Sequence, residues 1–205
     1  MEKKQVTGVS SYKGIMLQQH ENYSEVFTEF LKKIKPSKIL EIGTGAGGLT
    51  LFLRETLNDI GLSESKIKSF DINSMDSVHT QINSMENIEI LKDNLFSGGN
   101  DYVLDRYDLI ENFIKSEGTT LVMCDGGNKV KEFNQISPLI KKGDYIMAHD
   151  YVDNQENFLE NYLDKIWNWA EIKDEDIKDI CEKENLISSN KENFDSIVWV
   201  CKQKI

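Results

Sequence analysis

The sequence predicts an α/β fold built on a doubly wound, mostly parallel sheet. Three observations carry this. Short apolar runs alternate with segments of helical apolar spacing, a glycine cluster follows the first of those runs, and acidic residues stand at the ends of later ones. In such sheets ligands bind beyond the carboxyl ends of the strands, so the residues at those ends are the candidate site.

The elements follow in order. The first 15 or so residues are polar and unpatterned, and residues 1–21 read as an arm or lid on a single domain spanning 1–205. Val26, Phe27, Phe30, Leu31 and Ile34 recur at helical spacing, and Pro36 ends that helix. Residues 38–43 read as a short buried strand entering a glycine-rich turn, and 49–60 as a helix ending near Gly61. Further strands are expected at 67–72, 88–91, 120–124, 145–149 and 196–201. Helices are expected at 74–84, 104–116, 129–140, 158–169 and 177–181.

Composition narrows the function classes. The 205 residues carry 24 Lys+Arg against 35 Asp+Glu, a formal net charge of -11. That field repels polyphosphate, so no nucleic-acid partner is expected. With 39% hydrophobic and 29% charged residues and no run of about 20 apolar residues, a soluble protein without a membrane partner is expected. The N-terminus lacks the apolar core of a secretory signal, and three scattered cysteines suit a reducing compartment; together they point to the cytoplasm.

The first strand end reads Glu41-Ile42-Gly43-Thr44-Gly45-Ala46-Gly47-Gly48. Glycines let the backbone turn sharply and approach a ligand without a Cβ clash. The run satisfies G-x-G-x-G and G-x-G-x-x-G together, so glycine spacing alone does not exclude a dinucleotide fold. Glu41 bears on the choice. A carboxylate before the first glycine repels a pyrophosphate but suits a ligand carrying an ammonium and a sulfonium. Asp71 ends the next strand, where an acid accepts the hydroxyls of a ribose; capping the following helix is the alternative. Asp93 follows the third strand and is placed to meet an adenine amino group.

These residues lie in the order found in class I S-adenosylmethionine-dependent methyltransferases, which the sequence resembles. Two later segments, Thr120-Leu-Val-Met-Cys-Asp125-Gly-Gly-Asn-Lys129 and Ile136 to Tyr151 with its His149-Asp150, look like the subgroup of macrocin O-methyltransferases and cephalosporin hydroxylase-like proteins. The resemblance covers roughly residues 18–151. It implies a Rossmann-like, seven-stranded sheet with an antiparallel C-terminal strand. It also implies S-adenosyl-L-methionine as cofactor and a hydroxyl of a sugar, macrolide or phenolic as acceptor. Glu41, Gly43, Thr44, Gly45 and Gly47 would meet the methionine portion and Asp71 the ribose, with Ile72, Asp93, Asn94 and Asp125 completing the cofactor site. Members of this kind often bind Mg2+ through acids after strands four and five, which here are Asp125 and Asp150. His149 and Tyr151 stand where relatives often have Glu or Asn.

Two carboxylates converging on one site repel unless a cation or proton lies between them. A divalent ion with oxygen ligands would relieve that repulsion and lower the pKa of a nearby hydroxyl. Asp125 and His149 are therefore the catalytic candidates, Asp125 and Asp150 the metal ligands, and His149 a further ligand or the general base. Two other functions compete. Glu41 and the lack of a Tyr-x-x-x-Lys pair speak against a nicotinamide-dependent oxidoreductase. The intact Asp125 and His149-Asp150 speak against a non-catalytic binding module. Self-association is left open.

The remaining features read as structural. Trp167 and Trp169 on a helix and Trp199 in the last strand are expected in packing, and Cys124 in a buried strand. His79 is expected exposed on its helix, residues 173–179 as a solvated helix start, and His20 within a polar region closing over substrate.

Overall fold

In the computed structural model, which describes residues 8–73, 77–98, 102–163 and 170–205, the expected alternation is present. A hairpin of β1 (Gly8–Tyr12) and β2 (Ile15–His20) leads into α1 (Tyr23–Ile34). Then come β3 (Lys38–Ile42), α2 (Gly48–Asp59), β4 (Lys66–Asp71), α3 (Ser77–Asn83) and β5 (Ile88–Lys92). A small ladder of β6 (Phe96–Ser97) and β7 (Val103–Leu104) precedes α4 (Tyr107–Lys115), β8 (Thr120–Cys124), α5 (Lys129–Ile136) and β9 (Tyr145–Ala148). The chain closes with β10 (Tyr151–Val152), α6 (Gln155–Asn157), β11 (Ile172–Lys173), α7 (Asp174–Lys183), β12 (Leu186–Ser188), α8 (Lys191–Asp195) and β13 (Val200–Lys204).

The central sheet has seven strands in the order β12-β13-β9-β8-β3-β4-β5. β13 alone runs opposite to the other six strands of that sheet, as the resemblance implies. Parallel strands covered on both faces need apolar residues at successive positions, and the central β3, β8 and β9 largely have them, while β4 and β5 toward the edge carry more polar residues. Ile39, Leu121, Met123 and Met147 pack on one face with Phe27, Phe30, Leu53 and Leu57 of α1 and α2. Leu40, Val122, Cys124 and Ile146 pack on the other with Ile110, Ile114, Phe133 and Ile136 of α4 and α5. From β3 the chain builds outward to β4 and β5, then returns to β8 on the opposite side. The crevice at that switch point is where a ligand fits.

Several expectations need correction. The N-terminal arm is a hairpin across its described part, closed by Lys13-Gly14 with φ of 49° and 84°. Both central φ values are positive, as in a type I′ turn, and Lys13 occupies a position where Asn or Asp is the usual signal. The hairpin rests on α2: the Tyr12 hydroxyl donates to Glu55 Oε2 at 2.5 Å, and Lys13 donates to Oε1 at 2.8 Å. The helix expected at 158–169 starts earlier, at Gln155, and its described part continues α6 as a π-helix over Phe158–Tyr162, closed by the Leu163 N–H on the Phe158 carbonyl. Trp167 and Trp169 lie outside the described residues, as do 1–7 and the start of the helix expected at 74–84.

The last strand begins at Val200 rather than 196, because Val198 adopts φ 57° and turns the chain into the sheet. Trp199 is buried, as expected. His79 is buried rather than exposed: its Nε2 lies 2.8 Å from the Gly45 carbonyl, so it braces the glycine turn. Among the described residues, no helix is long and apolar enough to cross a membrane.

Candidate active site

A cleft of about 640 Å³ lies over the carboxyl ends of β3, β4, β5, β8 and β9. Gly43, Thr44, Gly45, Asp71, Ile72, Asp93, Asn94, Asp125, His149 and Asp150 all line it. Met16 to Gln19 of β2 close one side, and Phe96, Tyr102, Lys129 and Glu171 complete the wall. The hairpin can come this close because Gly48 has no Cβ; a methyl there would meet the Met16 carbonyl.

Glu41 and Gly47 do not line the cleft. Glu41 is 0% exposed, behind the glycine turn. Its Oε2 accepts from the Thr50 hydroxyl at 2.6 Å and from Ser69 at 2.5 Å. Because Ser69 spends its proton on Glu41, the 2.6 Å Thr44–Ser69 contact has Thr44 as donor. Thr44 thus links the cleft to the buried acid. Burial raises the Glu41 carboxyl to about 7, against the lowering effect of the two hydroxyls. Gly47, at φ 90°, precedes the first turn of α2.

The β4–β5 side of the cleft is held by partners invisible in sequence spacing. Asp71 Oδ2 accepts the Gly45 N–H and Oδ1 accepts the Asn73 N–H, both at 2.8 Å. The first bond fastens strand β4 to the glycine turn and the second closes a tight turn within 71–73; the start of the helix that Asp71 would alternatively cap lies outside the described residues. Asp93 accepts from Arg106 Nη1 at 2.9 and 2.8 Å on its two oxygens. Both carboxylates keep lone pairs for a ligand. Phe96 and Tyr102 stack at 4.6 Å, and the Tyr102 hydroxyl donates to Glu132 Oε1 at 2.8 Å. Glu132, buried on α5, also accepts the Gly126 and Asn128 N–H groups at 3.1 Å each and so fixes the loop after Asp125.

The β8–β9 side is an acidic cluster with a built-in cation. β8 and β9 are paired, Cys124 opposite Ala148, so the residues that follow converge. His149 Nδ1 lies 3.1 Å from Asp125 Oδ1 and 3.6 Å from Asp150 Oδ1. Burial pulls the imidazole down, but Asp125 and Asp150 outweigh it and hold His149 above its ordinary range. Its ring stacks on Trp199 at 4.7 Å, and the Trp199 Nε1–H donates to Gln19 at 2.8 Å. The Lys129 ammonium sits 3.0 Å from Asp150 Oδ2 and 2.8 Å from Glu171 Oε2. Burial would favour its neutral form, but Asp125, Asp150 and Glu171 keep it charged. Sequence reasoning missed Lys129, Glu171, Gln19 and the partner role of Trp199.

The cluster fits a divalent ion in donor type and spacing. Asp125, His149 and Asp150 each offer one ligand atom, all within 4.8 Å of one another. Asp150 Oδ1 is buried without a hydrogen-bond partner among the described residues. Asp150 itself has φ 56°, an uncommon conformation that an Asp tolerates better than most residues.

Comparisons with known proteins agree with this architecture. A family model described as rhamnosyl O-methyltransferase/CmcI matches residues 4–201. An apo structure of CmcI superposes with a TM-score of 0.63 at 14% identity, covering 95% of this chain and 76% of that one. CmcI with Mg-SAM gives 0.62 at 13% identity, with coverage of 95% and 76%. An O-methyltransferase family protein from Burkholderia thailandensis gives 0.56 at 11% identity, covering 90% and 55%. At such identities the structural likeness concerns the fold. No curated protein sequence matches.

Proposed function

The chain belongs to the rhamnosyl O-methyltransferase/CmcI family, and from that premise we propose that it transfers the methyl group of S-adenosylmethionine to a hydroxyl of a small molecule. One observation supports this above the others. The glycine turn with Asp71 and the Asp125–His149–Asp150 cluster open onto the same cleft, so a donor and an acceptor can meet there.

In this reading the donor's adenosine lies toward Asp71, Ile72, Asp93 and Asn94, and its methionine portion along Gly43, Thr44 and Gly45. Glu41 acts from behind through Ser69 and Thr44. The acceptor enters beside β2, where Met16 to Gln19 and Tyr102 shape its pocket. The donor supplies an electrophilic methyl: the acceptor oxygen bonds to that carbon as the carbon–sulfur bond breaks, leaving S-adenosylhomocysteine. The protein aligns the two and excludes water. His149 Nε2 is buried, so Nδ1, beside Asp125 Oδ1 and Asp150 Oδ1, is the atom that takes the hydroxyl proton, and the two carboxylates stabilise the imidazolium that forms. Asp125 and Asp150 would hold a divalent ion, whose charge, when bound, lowers the pKa of an adjacent hydroxyl.

The test is transfer of label from methyl-labelled S-adenosylmethionine to a panel of hydroxylated sugars, macrolides and phenolics together with their amine and thiol counterparts. An O-methylated product formed by the wild type, and lost with Asp125→Ala, is expected. Label appearing only on nitrogen or sulfur acceptors would refute the acceptor class.

A further inference from the structure

Lys129 opens α5 and reaches back into the acidic cluster. Its ammonium lies 2.8 Å from Glu171 Oε2, 3.0 Å from Asp150 Oδ2 and 3.7 Å from Asp125 Oδ1. The Gly126 carbonyl accepts from it at 3.2 Å. Lys129 and Asp150 each have side chains only 7% exposed, so water screens their interaction little. Asp150 divides its oxygens: Oδ2 is committed to Lys129, while Oδ1 is buried without a hydrogen-bond partner among the described residues.

The converging carboxylates therefore already have a counter-charge, supplied by the chain itself. A second cation placed between Asp125 and Asp150 would gain their attraction but lie close to a fixed ammonium of the same sign. His149 at the third donor position is a nitrogen ligand that adds no negative charge when neutral.

We infer that Lys129 is an internal competitor for the divalent ion: it neutralises the cluster when the ion is absent and keeps the affinity of the Asp125–Asp150 site low. The inference rests on the reading of Asp125 and Asp150 as ion ligands. It does not require that the acceptor be known. Lys129 is a positioning residue here, holding Asp150 by one oxygen so that the other remains for a ligand.

Manganese binding to the full chain with saturating S-adenosylhomocysteine, followed by the electron paramagnetic resonance signal of free Mn2+, tests this. Lys129→Met is expected to bind one Mn2+ at least about tenfold more tightly than the wild type, because removing the positive charge leaves the carboxylates to the ion. Lys129→Arg should stay near the wild type, and adding Asp150→Asn to Lys129→Met should abolish the gain. Lys129→Gln, which retains a donor toward Asp150, serves where the methionine variant does not fold. Equal or weaker Mn2+ binding by the uncharged variants would overturn the inference while leaving an ion site intact. No Mn2+ binding by any chain would overturn both it and the metal reading. Calorimetric binding of S-adenosylhomocysteine by each chain reports separately on the cofactor site.

Discussion

His149 and Asp125 sit 3.1 Å apart, Nδ1 to Oδ1, although one follows β9 and the other β8. The parallel pairing of those strands brings the two ends together, and the His149 N–H bonded to the Cys124 carbonyl at 3.1 Å fixes their relative height. Trp199 stacks on the imidazole and is itself tied to Gln19 of the hairpin, so the ring is held on two sides. A base so oriented should matter for turnover more than for binding. His149→Ala is expected to lower kcat by about 10²–10⁴-fold, with S-adenosylhomocysteine affinity little changed. Steady-state kinetics and calorimetry on the same variant check it, and normal turnover would remove His149 as the base.

Asp71 serves two masters, the glycine turn and the expected ribose. Asp71→Ala is expected to weaken S-adenosylhomocysteine binding by about 1.5–3 kcal/mol, as for hydrogen bonds to a charged acceptor. Asp71→Asn, which can still accept the Gly45 N–H, should lose less. Equal affinity in a folded alanine variant would defeat the ribose assignment.

The glycines of the turn differ in what they do. A Cβ on Gly43, at φ 92°, would collide with the Asp125 backbone carbonyl, whereas a Cβ on Gly45, at φ 56°, meets nothing within 4 Å. Gly43→Ala should therefore unfold far more easily, by about 3 kcal/mol or more, while Gly45→Ala costs about 1 kcal/mol from its backbone conformation. Urea denaturation distinguishes them; equal midpoints would contradict the packing described.

Glu41 gives a pH dependence of defined sign. Its carboxyl, ordinarily at 4.5, is raised to about 7 by burial in the folded chain. Between those values the folded chain keeps a proton that the unfolded chain releases, so this group's contribution falls as pH rises and is fully lost above about 7. Glu41→Gln keeps an oxygen for Thr50 and Ser69 and carries no charge. It is expected to be more stable than the wild type at pH 8, by about 1–3 kcal/mol, and little different at pH 4. The same difference at both pH values would contradict a buried ionising group.

The strand ends were legible because β3, β8 and β9 are short, mostly apolar runs followed closely by Gly or Asp, and a parallel sheet must align such ends. Lys129 lies within the Thr120–Lys129 segment, but nothing in that local sequence marks its role. Its three carboxylate partners come from β8, β9 and the segment entering β11, and Glu171 is brought near only by the β10–β11 pairing. His79 read as a surface residue because α3 is short and carries few apolar positions, while its actual partner, the Gly45 carbonyl, has no side-chain signature. The hairpin was missed because Lys-Gly is a weak turn signal and its strands carry polar residues. The widening of the helix to a π-helix at Phe158–Tyr162 has no signature in apolar spacing, which does not distinguish four-residue from five-residue hydrogen bonding.

Titration calorimetry of the wild-type chain with S-adenosylhomocysteine, run beside NAD, tests the account most directly. Saturable one-to-one binding of S-adenosylhomocysteine, weakened by Asp71→Ala, and no binding of NAD are the expected results. Binding of NAD, or no binding of S-adenosylhomocysteine by the folded chain, would contradict the assignment of this cleft to methyl transfer.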